Sequence, residues 1–506
     1  MDSVKRIIVN TSVQYAKAIV TTALALWTTR LILDTLNVSD FGLYSLIGGV
    51  VGMLSFVINA LSITTQRYVS FFYGQRNMAE VSKVFANSLF LHALFSVVIA
   101  LVTLLLKDWL IGDVLTIASN RVAAAHHVYV MAVVMLLLTI MTAPFKALLI
   151  SRENIVFISC IEIADSILKV GLVIWLTLLS GDKLITYANM MTATFVFNII
   201  VFGGYSLASY PESRNISISH ITHDNVMHIA GFASWTTYGM GAITLRNQGT
   251  QIILNHFFST VINAAFGIAM QVFNAISFIT ASILNAMNPQ IMKAEGAGRR
   301  TDMLLLAAKE SRMSAALLML IAIPLIFEMP EILPLWLKEV PAHTVMFCRY
   351  ILIAFIIDQT TLGLNSANQA VGHIRNYTLL IYTPKLLFLP LAYGILRLGF
   401  QPYHVMLLFV GIELLVAILR LPYMMHTINL SITNYVKTVI QPLLPLLAVL
   451  IVVSSACICL IDMPFRFVIT VGAALMTAAP VMWRFTLTSG ERRYALNIIT
   501  TKLKRQ

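Results

Sequence analysis

Runs of about twenty apolar residues follow one another along almost the whole chain, and such runs can be buried together in only one solvent. A helix rises about 1.5 Å per residue, so each run is long enough to cross a hydrocarbon core of about 30 Å. Besides an opening pair over residues 10–33 and 42–65, the runs pass through Ala86, Val134, Leu168, Phe195, Ile243, Phe273, Leu318, Phe355, Leu387, Leu408, Leu450 and Leu475. Charged residues make up only 11% of the 506 positions, against roughly 25% in soluble domains. The expectation is an all-α polytopic membrane protein of about fourteen transmembrane helices. Its longest hydrophilic connections, near residues 210–225 and 290–309, fall short of the 50 or so residues that a soluble domain needs. Whatever this chain does is done inside the membrane.

The opening pair carries polar stripes. At about 100° per residue, Asn10, Gln14, Lys17, Thr21 and Thr28 share one face of the first helix. Gly48, Gly52, Ser55, Asn59, Ser62 and Gln66 do the same on the second. Lipid does not suit those faces, so they imply a protein-lined, wet interior. Residues 34–40 read as an acidic corner between the two helices, and a basic loop around Arg67 and Arg76 closes the pair. Gly48 and Gly52 form a GxxxG, which predicts close helix packing.

Charge orients the spans. With the amino terminus inside, Lys5, Arg6, Arg76, Lys146, Arg152, Arg300, Arg312, Arg420 and the basic tail from Arg484 onward fall in cytoplasmic loops. The opposite loops hold fewer bases, namely Lys107, Arg121, Lys183, Lys338, Arg397 and Arg466. The positive-inside rule therefore puts both termini in the cytoplasm. Much of the net charge of +12 is topological and gives no reason to expect nucleic acid as a partner.

A weak internal repeat sets the domain plan. Shifted by about 222 positions, residues 42–74 lie over residues 264–296, with Gly74 on Gly296. Parallel repeats of this kind place a substrate path between two lobes. The plan has four parts: a first lobe over residues 1–208, a cytoplasmic connection over 209–226, a second lobe over 227–428, and a basic-tailed extension over 429–506.

Charges at bilayer depth cost at least about 2.5–3.5 kcal/mol on insertion scales, so they face cavities or partners. Lys17 and Arg30 lie in the first span and Arg246 in the seventh, and Lys17 and Arg246 have no acid within a turn of their own helices. These three are candidate anion-binding residues, although Arg30 also lies close enough to the outer interface to snorkel. Glu162, Asp165 and Lys169 share a face of the fifth span, where Asp165 and Lys169 can simply neutralise each other. Asp358 heads a stripe with Asn365 in the tenth. These four charged residues are the candidates for ion coupling. Gln14, Asn59, Gln271, Asn274 and Asn365 are candidate polar lining of a cavity.

Other chemistry finds little support. Cys160, Cys348, Cys457 and Cys459 lie in or beside apolar runs and read as small buried hydrophobes, and His220, His223 and His228 read as a titratable loop. Neither set makes a convincing metal site, and no cofactor is expected. The chain lacks a G-x-x-x-x-G-K-[ST] phosphate loop, so it should not be an enzyme of nucleotide hydrolysis by that route. Its short outer loops leave no room for glycosyl-transfer machinery.

The run Arg30-Leu31-Ile32-Leu33, then Val38-Ser39-Asp40-Phe41-Gly42-Leu43-Tyr44, then Gln66-Arg67-Tyr68 and Gly74 resembles the opening of bacterial polysaccharide flippases. These belong to the multidrug/oligosaccharidyl-lipid/polysaccharide exporter superfamily, with its MATE-like fold. The resemblance implies two pseudo-symmetric six-helix lobes around a cavity, plus two C-terminal helices. It also implies that undecaprenyl-diphosphate-linked sugar repeat units are moved to the outer leaflet of the inner membrane. Lys17, Arg30 and Arg246 would then meet the diphosphate, and a polysaccharide polymerase with its chain-length machinery are candidate partners. The rival is the drug-exporting branch, which exchanges organic cations for sodium ions or protons through cavity carboxylates. Here the first and seventh spans carry bases instead, which favours an anionic cargo.

Overall fold

The computed structural model describes residues 3–52, 54–114, 117, 119–217, 220–258, 260–337 and 340–493, and among these residues every regular element is helical. In chain order the long helices are α1 (Ser3–Gly52), α2 (Ser55–Gly74), α3 (Met78–Leu105), α4 (Val122–Ser151), α5 (Ile155–Leu178), α6 (Lys183–Ser209), α7 (His223–Phe257) and α8 (Thr260–Gly296). They continue as α9 (Arg300–Trp336), α10 (Thr344–Gln359), α11 (Leu362–Val371), α12 (Ile374–Arg397), α13 (Pro402–Ile428), α14 (Gln441–Leu460) and α15 (Arg466–Val481). Among the described residues nine segments are long and apolar enough to span a membrane, and two bent pairs bring the number to eleven. One of those pairs is α10 with α11, bent by 44°. Three more long helices, α2, α5 and α7, stand outside that number, α5 because its otherwise strongly apolar run carries the three charges Glu162, Asp165 and Lys169. The described residues therefore hold fourteen long helices when α10 and α11 count as one, but the run over residues 42–65 is not one of them: its first part ends α1 and its second begins α2.

Side-chain caps and an ionic knot set several boundaries. Asn77 accepts from the Glu80 N–H at 3.2 Å to start α3, and Asp182 accepts from Leu184 and Ile185 to start α6. Arg121, just before α4, binds both Asp40 on α1 and Asp182. That knot corrects the expected corner, because helical backbone runs on through residues 34–40. The segment has no Gly or Pro to stop it, Thr35 bonds back to the Leu31 carbonyl, and Leu36 is buried. Arg67 is likewise no loop residue. It is buried in α2, with its guanidinium over the rings of Tyr68, Phe71 and Phe232.

The chain forms two compact units, Met1–Gly241 with Asn288–Arg299, and Ala242–Met287 with Arg300–Gln506. The first has a core of Leu36, Ile47, Val128, Tyr129, Ile140 and Leu176. In it, a Cβ on Gly74 would strike the Lys293 backbone, and a Cβ on Gly296 would strike the Phe71 backbone. Gly74 and Gly296 are 222 positions apart, and so are Phe71 and Lys293. The ends of α2 and α8 thus cross in a reciprocal contact that only glycine allows, at the offset of the sequence repeat. The GxxxG behaves otherwise, since nothing lies within 4 Å of a Cβ on Gly48 or Gly52. Among the described residues the expected close packing is not found there.

In the second unit α9 packs on α14 and α15. Buried Glu328 receives Arg466 at 3.1 Å and Thr470 at 2.6 Å, and Arg312 reaches Glu491 at 2.8 Å. Trp27, Trp109, Trp175 and Trp336 are all about half exposed, as interfacial anchors must be. Cys348 and Cys457 are buried, but Cys160 and Cys459 are exposed. The expectation of four buried thiols is corrected for those two, whose helices turn them outward.

Candidate functional site

Each unit holds its own ionic cluster among apolar helices, half-buried in the first and buried in the second. In the first, Glu162 on α5 accepts Lys17 from α1 at 2.7 Å and Lys146 from α4 at 2.9 Å. One turn along, Asp165 pairs with Lys169 at 2.7 Å and accepts from Asn198 at 2.9 Å. Beside them is a cavity of about 560 Å³, lined by Thr21, Thr22, Thr28, Thr29, Ser166 and Lys169. Thr21, Thr28 and Thr29 donate their hydroxyl protons to carbonyls of their own helix. Toward the cavity those oxygens can only accept, so they suit a ligand rich in O–H or N–H donors.

The second unit is more tightly closed. Arg246 on α7 reaches Glu413 on α13 at 2.5 Å, and its guanidinium lies 4.0 Å from the Phe409 ring centre. Lys385 on α12 binds the other oxygen of Glu413 at 2.8 Å and approaches Asp358 to 3.8 Å. Arg420 on α13 pairs with Asp358 at 2.9 Å and donates to Thr361 Oγ1 at 2.9 Å. A cavity of about 130 Å³ opens onto Arg246, Asn247, Asp358, Lys385, Phe409 and Glu413.

The α10–α11 break explains part of this arrangement. Between Gln359 and Leu362 the helical ladder stops, so carbonyl groups there need outside donors. Arg420 donates to Asp358 O at 3.3 Å, and the Tyr435 hydroxyl donates to Thr360 O at 3.0 Å.

No family profile matches the chain, and no curated protein does. Solved structures do. A multidrug resistance MATE family transporter of the MOP superfamily, in an outward-facing conformation, superposes with a TM-score of 0.72 at 11% identity, covering 84% of this chain and 95% of its own. The fold is that of the MATE transporters. A second MATE crystal structure, in the straight conformation, gives 0.71 at 13% identity over 84% of this chain and 95% of that one. A MOP superfamily transporter from Pyrococcus furiosus, whose reversed pocket polarity suggests a different function, gives 0.69 at 13% identity over the same shares.

On this MATE fold the sequence-predicted residues separate into three groups. Lys17, Glu162, Asp165 and Lys169 come together in the first unit, and Arg246 and Asp358 in the second. Lys17 and Arg246 are not the unpaired bases that their own helices suggested. Each meets an acid from a different helix, which sequence spacing cannot reveal. Arg30, Asn59, Gln271 and Asn274 are exposed and line neither cavity, and Asn365 lies on half-helix α11. Gln14 is buried.

Sequence reasoning missed Glu413 and Lys385 altogether. Both are charges inside apolar runs, so the rule that picked out Arg246 also finds them. Lys146, Arg312 and Arg420 were expected in cytoplasmic loops. They stand instead within α4, α9 and α13, where each meets an acid. His228, expected in a loop, lies on α7 and meets the Tyr68 hydroxyl at 2.8 Å.

Proposed function

We propose that this chain flips undecaprenyl-diphosphate-linked oligosaccharide repeat units from the inner to the outer leaflet of the bacterial inner membrane, for surface polysaccharide such as O-antigen or capsule. It is a carrier without chemistry of its own, both termini lie in the cytoplasm, and a polymerase with its chain-length machinery receives the product. The observation that carries this reading is the sign of the two clusters. Lys17, Lys146 and Lys169 face two acids in the first unit, and Arg246, Lys385 and Arg420 face two in the second. Each cluster holds its acids in ion pairs and keeps one positive charge in excess, which attracts an anionic head group and repels an organic cation. The acceptor-only threonines beside the first cluster suit sugar hydroxyls.

Arg246 provides the test. A guanidinium meets phosphate oxygens through two parallel bonds, whereas an ammonium is a point charge. Arg246→Ala should therefore lower surface glycan more than Arg246→Lys when both reach the membrane at wild-type levels. Wild-type glycan in both variants would remove Arg246 from the site. A cation-coupled multidrug antiporter is the second reading, favoured by the multidrug MATE neighbour. It would need an exchangeable cation to displace the tethered lysines and arginines from these carboxylates.

A further inference from the structure

Six acids are buried among the described residues, and five of them face a base. Asp40 meets Arg121, Asp165 meets Lys169, Glu212 meets Arg152, Glu328 meets Arg466, and Glu413 meets Arg246 and Lys385. The sixth is Glu310 on α9. It is 0% exposed, and neither carboxyl oxygen has a hydrogen-bond partner at good geometry. Lys309 and Arg312, on its own helix, both turn to Glu491. Among the described residues of the packed elements, Ser366 on α11 and the Tyr435 phenol are the groups that face it, while Arg420 is held by Asp358. An ionised carboxylate taken from water with no cation beside it is strongly disfavoured. A carboxylic acid in the same place is not.

What covers Glu310 is half-helix α11, one side of the broken span. The α11 backbone lies flush on the turn of α9 that bears Glu310. A Cβ at Gly363 would meet the Ala307 carbonyl group and the Ser311 hydroxyl. The Gly363 N–H donates to Ser311 Oγ at 2.8 Å, and the same hydroxyl lies 2.8 Å from the Tyr435 phenol oxygen, which accepts the Ser311 proton while giving its own to Thr360 O. Three hydroxyl and amide contacts around Ser311 and Thr360 therefore hold this half-helix down beside the carboxyl group. Helix breaks within spans are tolerated where neighbours supply such bonds, and each of these can be exchanged for a bond to water.

We propose that Glu310 is a proton-binding site whose occupancy is tied to the seating of α11. With α11 seated, Glu310 holds its proton. When α11 lifts, water reaches the carboxyl group, the O–H bond breaks, and the electron pair stays on the carboxylate as the proton passes to water. Reseating requires the proton back. The break is also anchored on its other side by Arg420 and Asp358, so a movement there reaches the second unit's ionic cluster. None of this depends on what the protein carries.

The test uses the full chain in lipid without substrate. Infrared spectra of the wild type at neutral pH should show a protonated carboxyl band that disappears in Glu310→Gln, the neutral isostere. Amide exchange of residues 362–371, corrected for its intrinsic pH dependence, should accelerate up to tenfold per pH unit above the ordinary glutamate range, the linkage for one released proton. In Glu310→Gln the corrected rate should be flat. A wild-type rate that is flat after correction overturns the proposal, and that arm needs no variant to fold. A carboxyl band that survives in Glu310→Gln, or an unchanged exchange slope in that variant, overturns it equally.

Discussion

Replacing Gly74 by alanine tests the reciprocal crossing of α2 and α8. Two opposed effects set the magnitude. Alanine is favoured over glycine in a helix by about 0.8–1.0 kcal/mol, whereas overpacking a tight contact costs about 1–3 kcal/mol. The added methyl meets the backbone of Lys293, which cannot rotate away as a side chain would, so the upper half of that range applies. The net expectation is a loss of about 1–2 kcal/mol, a factor of roughly 5–30 in the folded-to-unfolded ratio. Gly296→Ala should lose a similar amount, because its methyl meets Phe71 in the same way. The double variant should lose less than the sum, since the separation forced by one methyl makes room for the other. Gly48→Ala and Gly52→Ala are the controls, having nothing within 4 Å, and should be neutral or slightly stabilising. Reversible denaturant unfolding in mixed micelles measures all five. If Gly74→Ala gains stability as Gly52→Ala does, the crossing is not close and the reasoning fails.

Three further outcomes are expected. Glu413→Gln leaves Arg246 and Lys385 without their shared carboxylate, and breaking such a buried pair costs about 3–5 kcal/mol; thermal unfolding should show the loss, and a second change, Lys385→Met, should recover part of it. In a background lacking exposed Cys160 and Cys459, an impermeant thiol reagent applied to intact cells should reach Arg397→Cys and miss Arg300→Cys; labelling of both would overturn the loop assignment. Outside the spans, burial works to raise the Glu491 carboxyl group, but Arg312, the Thr488 N–H and Lys309 outweigh it and hold it below the ordinary glutamate value. A depressed acid stabilises the fold above its unfolded value of about 4.3 and loses that contribution as pH falls through its folded value. Acid unfolding of Glu491→Gln should therefore depend less steeply on pH than that of the wild type.

Helix number and class were legible because a bilayer demands about twenty apolar residues per span, and little else reads that way. The repeat was legible too, and it led to the Gly74–Gly296 contact although few letters match. Partners across helices were not. Lys17 and Glu162 are 145 positions apart and Arg246 and Glu413 are 167 apart, and no helical period links such distances. Loop and span were also confused for Lys146 and Arg420, since a base near the end of an apolar run looks topological until its acid is located. The acidic stretch at residues 34–40 misled for a related reason. Its polarity suggested a turn, whereas Asp40 is acidic in order to hold Arg121.

Substrate sign is the core of the functional reading, and reconstituted vesicles measure it directly. Purified protein is placed in liposomes with a fluorescent undecaprenyl-diphosphate oligosaccharide, and head-group movement between leaflets is followed by accessibility to an external glycosidase. Parallel vesicles are loaded with a lipophilic organic cation, under sodium and proton gradients in turn. The account predicts head-group flipping that falls when Arg246 is replaced by alanine, with no gradient-driven cation export. Cation export in exchange for sodium ions or protons, with no flipping of the glycan lipid, would contradict it.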